Sequence, residues 1–361
     1  MVQVTSRTCV IAEAGVNHNG SLDLALKLVD VAADAGADVV KFQTFKADQL
    51  ATAAAAKAEY QVANTREEGS QLAMLRKLEL SPADHDAILA RCRERSIQFM
   101  STAFDAASLA LLVSLDVPAV KIPSGDITSG PLLLQASRLH RPLIVSTGMS
   151  TLSDIEQALG VIAFGLTTDR EPEGRGDFDA AYHSADGRCA LERYVTLLHC
   201  TTQYPAPPES VNLRAMDTMA AAFGLPVGYS DHTLGIEVSI AAVARGATMI
   251  EKHFTLDRTL PGPDHAASLQ PAELAQLVSA IRAVQLALGS PVKGPALHEM
   301  SNRPVARRSI VAARPIRQGE RFTADMLAAK RPGYGRSPME HWSLLGRAAT
   351  RDYAIDELID S

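Results

Sequence analysis

The chain has 361 residues, of which 47% are apolar, 21% charged and 5% aromatic, with a formal net charge of −6. An acidic balance argues against a nucleic-acid face, no apolar run reaches the ~20 residues of a membrane span, and the first residues show no secretory signal. Cys9, Cys92, Cys189 and Cys200 lie far apart with no CxxC pair, so a disulfide framework is not expected and a cytoplasmic setting is.

Length allows about two domains at ~150 residues each, although a βα barrel can use about 250 as one unit. Residues 1–289 repeat one unit, a short apolar β-branched run followed by an amphipathic stretch. The strand-like runs are CVIAEAG (9–15), DVVKFQTF (38–45), IQFMSTAF (97–104), AVKIPSGD (119–126), PLIVSTGM (142–149), YVTLLHCTT (194–202), PVGYSDHT (226–233) and TMIEKHFTL (248–256). Between them, apolar residues recur at three and four, as in Leu22, Leu26, Val29 and Ala33. Asn19-Gly20-Ser21 and Ser81-Pro82 read as helix starts. Gly36, Gly246 and Gly289 read as helix ends. Eight strand-then-helix units predict a (β/α)8 barrel. An open doubly wound sheet is the alternative, disfavoured because no GxGxxG follows the first strand.

Two longer connections break the rhythm. Residues 46–80 leave the C-terminal end of strand 2, the functional face of a barrel, and are expected to cap the site. Residues 167–193 follow a helix and are expected on the opposite face, as decoration or an oligomer contact. Residues 290–303 read as a linker. Residues 304–361 read as a small, basic, β-rich domain with a Gln318-Gly319 turn, marginal alone.

The eight runs are apolar in their first halves and polar in their second: Glu13; Lys41 and Gln43; Ser101 and Thr102; Lys121, Ser124 and Asp126; Ser146 and Thr147; His199 and Thr201; Ser230, Asp231 and His232; Glu251 and His253. In a parallel barrel these ends converge on one rim and predict a polar pocket. A merely solvated rim is the alternative, but lysines inside strands need partners. His232 and His253 end adjacent strands, where two imidazoles can share a divalent ion such as Mn²⁺; hydrogen-bonded core histidines are the alternative. Lys41 and Lys121, with nearby hydroxyls, suit a phosphate or carboxylate. Alternatives are a Schiff-base lysine or charge pairs with Glu13, Asp126 or Glu251. Glu13 and Asp126 are candidate acids or bases. Asp264, in LPGPDH (260–265), either binds sugar hydroxyls or shapes a turn.

IAEAGVNHNG (11–20), VVKFQTFKAD (39–48), KAEYQ (57–61), KIPSGDIT (121–128), STGM (146–149), LLHCTTQYPAP (197–207), GYSDHTLGIE (228–237), EKHFTLDRTLPGPDHAAS (251–268) and KRPGYGRSP (330–338) together resemble the bacterial sialic acid synthase family. That family condenses phosphoenolpyruvate with an N-acylated hexosamine. The resemblance covers nearly the whole chain, including a C-terminal antifreeze-like (SAF) domain, and is weakest over 167–193. It implies a transferase, with His232 and His253 as Mn²⁺ or Mg²⁺ ligands. It further implies that Lys41, Thr102, Lys121, Ser124, Ser146 and Ser230 bind phosphoenolpyruvate, that Gln43, Tyr204 and Asp264 surround the sugar, and that Glu13 is a pocket glutamate. It also implies that Arg331 of one subunit reaches the site of another in a domain-swapped homodimer. Many family members have Glu where Asp126 stands. N-acetylmannosamine as acceptor gives N-acetylneuraminate; the 2,4-diacetamido-2,4,6-trideoxy analogue gives N,N'-diacetyllegionaminate. A Schiff-base pyruvate lyase is a distant alternative.

Overall fold

The computed structural model describes residues 7–65 and 69–360. The chain divides into two compact units, residues 1–289 and 290–361.

In the first unit eight parallel strands close into a barrel in chain order: β1 (Cys9–Gly15), β2 (Val39–Thr44), β3 (Gln98–Ala103), β4 (Val120–Ile122), β5 (Leu143–Ser146), β6 (Val195–Cys200), β7 (Val227–Asp231) and β8 (Met249–His253). The barrel expectation holds. β8 pairs back onto β1, with His253 beside Glu13. Eight helices alternate with the strands: α1 (Leu22–Asp34), α2 (Pro82–Glu94), α3 (Ala106–Ser114), α4 (Gly130–Ser137), α5 (Leu152–Thr167), α6 (Ala215–Phe223), α7 (Glu237–Ala244) and α8 (Pro271–Leu288). Local chemistry starts several of them. The Ser21 hydroxyl accepts from Leu24 N–H, and Ser81 with Asp84, and Thr151 with Asp154, form capping boxes. α4 begins at Gly130-Pro131, a pair that breaks an apolar helical pattern.

Barrel packing explains why the strands change character halfway. Ile11, Val39, Met100, Ala119, Ile144 and Leu198 point inward and plug the lower half. Two residues further along five of those strands the inward positions are Glu13, Lys41, Thr102, Lys121 and Ser146, because side chains alternate with a period of two. Outward residues such as Ala12, Val40 and Phe42 join the main core under the helices. Gly228 lies where Leu198 fills the barrel: a Cβ there would stand 2.6 Å from Leu198 Cδ2.

The 46–80 connection forms three short helices, Ala47–Leu50, Glu59–Thr65 and Gln71–Arg76. The expectation for 167–193 needs correction. It starts on the far face, where the Arg138 guanidinium holds Glu171 at 2.7 Å. Its helices Arg175–His183 and Ala185–Tyr194 then pack along the outside of α5. Gly160 lets the Phe178 backbone approach closely. Residues 172–175 thereby share a cavity with Thr128 and Asp154, at the N-terminal ends of α4 and α5.

In the second unit β9 (Ser309–Ala312) and β10 (Leu327–Lys330) pair antiparallel over a core that includes Ile310, Ile316, Phe322 and Tyr353. Residues 290–303 fall within this unit and include a 3-10 turn at Leu297–Glu299. Its basic side chains are interleaved with acids: Arg314 pairs with Glu320, Lys330 with Asp356, and Arg351 with Glu357 and Asp360. Among the described residues, no helix is long and apolar enough to cross a membrane.

Candidate active site

A cavity of about 230 Å³ opens at the C-terminal ends of the strands. Its floor is a chain of alternating charges. Lys41 Nζ lies 2.7 Å from Glu13 Oε2 and 3.5 Å from Glu251 Oε2. Lys121 Nζ lies 3.8 Å from Glu251 Oε1. Hydroxyls complete the set. Lys41 donates to Thr102 Oγ1 at 3.0 Å, Lys121 to Ser146 Oγ at 2.7 Å, and Ser230 donates to Glu251 Oε1 at 2.8 Å. Gln43 Nε2 donates to Glu13 Oε1 at 3.2 Å. The charge-pair reading of the lysines therefore describes this structure, and it keeps two ammonium groups at the bottom of a cavity.

These environments push the two carboxyls apart. Burial pushes the Glu13 carboxyl up, against the pull of Lys41. Burial acts the same way on Glu251, but Lys121 and Lys41 outweigh it and hold that group low. Glu13 is thus the carboxyl able to carry a proton near neutrality, while Glu251 stays an anion. For Lys41, Glu13 and Glu251 outweigh burial and raise its pKa; for Lys121, burial dominates and lowers it.

Ser124 caps the far wall. Its hydroxyl accepts from Gly148 N–H at 3.0 Å and lies 3.0 Å from Cys200 Sγ. A Cβ on Gly148 would stand 2.8 Å from Ser124 Oγ and 2.9 Å from Cys200 Sγ and would collide with Thr202. The glycine allows the backbone to approach.

His232 and His253 meet above this floor, ring centroids 5.6 Å apart. His232 Nδ1 donates to Thr201 O at 2.7 Å, which leaves its Nε2 as a lone pair. His253 Nδ1 is buried without a hydrogen-bond partner. Burial lowers both pKa values, so both rings are neutral. Among the described residues no three His, Cys, Asp or Glu side chains gather as a metal site. Two neutral imidazoles and an orphaned ring nitrogen nevertheless fit a divalent cation that completes its shell from water and substrate.

Tyr204 packs on His232 with centroids 4.1 Å apart, and Tyr60 stacks on Tyr204 at 5.1 Å. Asp264 lines the same end, and burial pushes its carboxyl up to about 6. The helix Glu59–Thr65 is tied to the 260–264 turn by Asn64, which donates to Pro263 O at 2.7 Å.

Most of the sequence-derived residues come together here, but not all. Asp126 does not line the cavity. It closes a 3-10 turn after β4, and burial together with Asp105 pushes its carboxyl up to about 6. Arg331 lies in the second unit, exposed, its Nε donating to Ala306 O at 3.0 Å. Ser101, Thr147, His199, Thr201 and Asp231 are also absent from the lining, since neighbours along a strand face opposite ways. Thr147, for example, donates to Leu198 O. Glu251 enters above among the polar strand ends and as a possible charge partner, with no role of its own, although it stands two residues before His253, on the same face. Tyr60, Met74, Leu75 and Leu78 come from the 46–80 connection, where no strand period marks them.

The fold and this cavity define a class: a (β/α)8-barrel enzyme with a floor of paired lysines and carboxylates beneath a pair of neutral histidines. The chain belongs to the NeuB family, which it matches over residues 28–293, and it carries a SAF domain over residues 307–360. It is 46% identical to the N,N'-diacetyllegionaminic acid synthase of Campylobacter jejuni, covering 98% of this chain and 99% of that one. It is 33% identical to the human N-acetylneuraminate-9-phosphate synthase, over 98% and 92%. Among solved structures it resembles an N-acetylneuraminic acid synthetase from Leptospira borgpetersenii, with 32% identity, a TM-score of 0.67, and coverage of 82% and 90%. It is a synthase-type enzyme.

Proposed function

We propose that the enzyme condenses phosphoenolpyruvate with an open-chain N-acylated mannosamine-type sugar, giving a nonulosonic acid and phosphate. The observation that carries this is the buried Lys41–Glu251–Lys121 chain beneath two neutral histidines. Lys41, Lys121, Thr102, Ser124, Ser146 and Ser230 hold the anionic donor. Gln43, Tyr204 and Asp264 orient the acceptor. A divalent cation, Mn²⁺ or Mg²⁺, held by His232 and His253 would polarise the sugar aldehyde.

C3 of phosphoenolpyruvate bonds to the aldehyde carbon, water adds at C2, and the C2–O bond to phosphate breaks. Glu13 handles the proton exchanged between water and the new hydroxyl, and Glu251 offsets positive charge developing at C2. The relatives named N,N'-diacetyllegionaminic acid synthase and N-acetylneuraminate-9-phosphate synthase support this reading. Phosphate release that requires both substrates, stops with EDTA and returns with Mn²⁺ is the test; release with chelator in excess would overturn the cation's part.

We further infer a cytoplasmic homodimer in which Arg331 of one subunit serves the site of another. Mixing inactive His232→Ala and Arg331→Ala subunits should restore part of the activity. No recovery would count against shared sites.

A further inference from the structure

Resting on the reading above, we infer that Asp264 opens the ring of the bound acceptor, so that the enzyme interconverts the two anomers of the sugar without consuming the donor. The condensation needs an aldehyde, and a sugar of this kind is almost wholly a closed ring in water. Opening it moves one proton from the anomeric hydroxyl to the ring oxygen, which is work for a group that can both take and return a proton.

The cavity leaves one carboxyl free for that work. Asp264 is 6% exposed, and among the described residues its carboxyl has no hydrogen bond and no ion pair. The other titratable groups of the lining are engaged. Glu13, Lys41, Lys121 and Glu251 face one another at the floor, and Cys200 faces Ser124. Burial and the Asp264 charge push the Tyr60 and Tyr204 hydroxyls up, so both keep their protons. The two histidines serve the cation. A carboxyl taken almost wholly out of water and given no partner awaits the donors of a ligand.

Its backbone, by contrast, is fixed from several sides. Ser268 Oγ donates to Asp264 O at 2.7 Å and itself accepts from Asn17 Nδ2 at 2.9 Å. Asn17 also donates to Phe254 O at 2.8 Å, and Asn19 donates to Pro261 O at 2.8 Å. With Asn64 on Pro263 O, asparagines from two different connections hold the turn that presents this carboxyl. Tyr204 touches both halves of the acceptor end. It packs on His232 and lies edge-on to His253 with centroids 5.7 Å apart, and its hydroxyl feels the Asp264 charge.

One oxygen of the carboxylate takes the proton of the anomeric hydroxyl. The bond from C1 to the ring oxygen breaks, its electron pair stays on that oxygen, and C1 with its own oxygen becomes the aldehyde. Asp264 returns the proton to the former ring oxygen. Reclosure on either face of the aldehyde gives either anomer, and nothing is consumed. The two oxygens of a carboxylate are spaced like the two oxygens on the anomeric carbon, so one group serves both. Burial pushes this carboxyl up to about 6, which suits it to take and return a proton near neutrality. A cation at the histidines and an arginine from a second subunit would favour its anionic form, the one that starts the step.

The test follows optical rotation after one anomer of N-acetylmannosamine, or of the 2,4-diacetamido-2,4,6-trideoxy sugar, is dissolved with the Mn²⁺-loaded enzyme, inorganic phosphate standing in for the donor. The enzyme should speed the approach to equilibrium above the buffer blank. Asp264→Asn, with the circular dichroism of the folded chain, should lose at least about 100-fold of that acceleration, because the amide keeps the shape and cannot carry the proton. No acceleration by enzyme that releases phosphate from phosphoenolpyruvate and sugar, or equal acceleration by folded Asp264→Asn, would overturn this inference and leave the synthase reading intact. No phosphate release with either sugar would overturn the reading on which it rests.

Discussion

Asp231 and Lys252 stand opposite each other in the β7–β8 register and close an ion pair of 2.9 Å outside the barrel wall, almost wholly buried. Lys252 also donates to Thr233 O, and Ser239 donates to Asp231. Each partner is the sequence neighbour of a cavity histidine, so the pair fixes from behind the strand ends that carry His232 and His253. Removing one member leaves a buried charge unpaired. Lys252→Met should cost about 3–5 kcal/mol in urea unfolding, and Asp231→Asn in the same chain should return part of it.

Chelation and histidine substitution should act together. His253→Ala should weaken Mn²⁺ binding, measured calorimetrically, by at least about 100-fold, since even residues behind a metal ligand are worth 10–100-fold. Its circular dichroism should match that of the unaltered enzyme. Undiminished Mn²⁺ affinity would exclude His253 as a ligand.

Gly148 is where the donor subsite is tightest. Gly148→Ala forces Ser124, Cys200 or Thr202 to move. The expected result is a rise in KM for phosphoenolpyruvate of about tenfold or more, with the acceptor KM little changed, and a stability loss of about 1–3 kcal/mol. Equal increases in both KM values would place Ser124 outside the donor subsite.

Asp264 gives a pH signature. Burial lifts its carboxyl to about 6, above the unfolded value of ~3.9. Between those values the folded chain holds a proton the unfolded chain has lost, so the group destabilises the fold progressively as pH rises from about 4 to 6. Asp264→Asn lacks this penalty. Its stability relative to the unaltered enzyme should improve by about 2–3 kcal/mol between pH 4 and pH 7. A difference independent of pH would show that Asp264 titrates normally.

Lysine chemistry can be tested directly. Lys41 is held as an ammonium by Glu13 and Glu251, and Lys121 faces Glu251 and Ser146. Pyruvate with borohydride should label neither residue. Mass-spectrometric detection of an adduct on Lys121, the one whose pKa burial lowers, would revive the Schiff-base lyase.

How much of this was legible beforehand follows from the range of the signals. The eight strands, most of the helices that follow them and the polar strand ends rest on local periods, so residues such as Lys41, Lys121, His232 and His253 could be named from their positions alone. Which of two polar neighbours faces the cavity is decided by barrel closure. Ser230 turns inward and Asp231 outward, although both are polar residues at the end of one run, and Asp126 falls just beyond the inward-facing stretch of β4. The pairing of Lys41 with both Glu13 and Glu251 depends on β1, β2 and β8 meeting around the cylinder, across more than two hundred residues of chain. Met74, Leu75 and Leu78, which line the cavity from the 46–80 connection, have no strand period to announce them. Local sequence thus determined the repeating units and the chemistry available at their ends. Only the closed tertiary structure decided which of those groups meet, because side-chain contact across a barrel is set by register and closure, which no single segment contains.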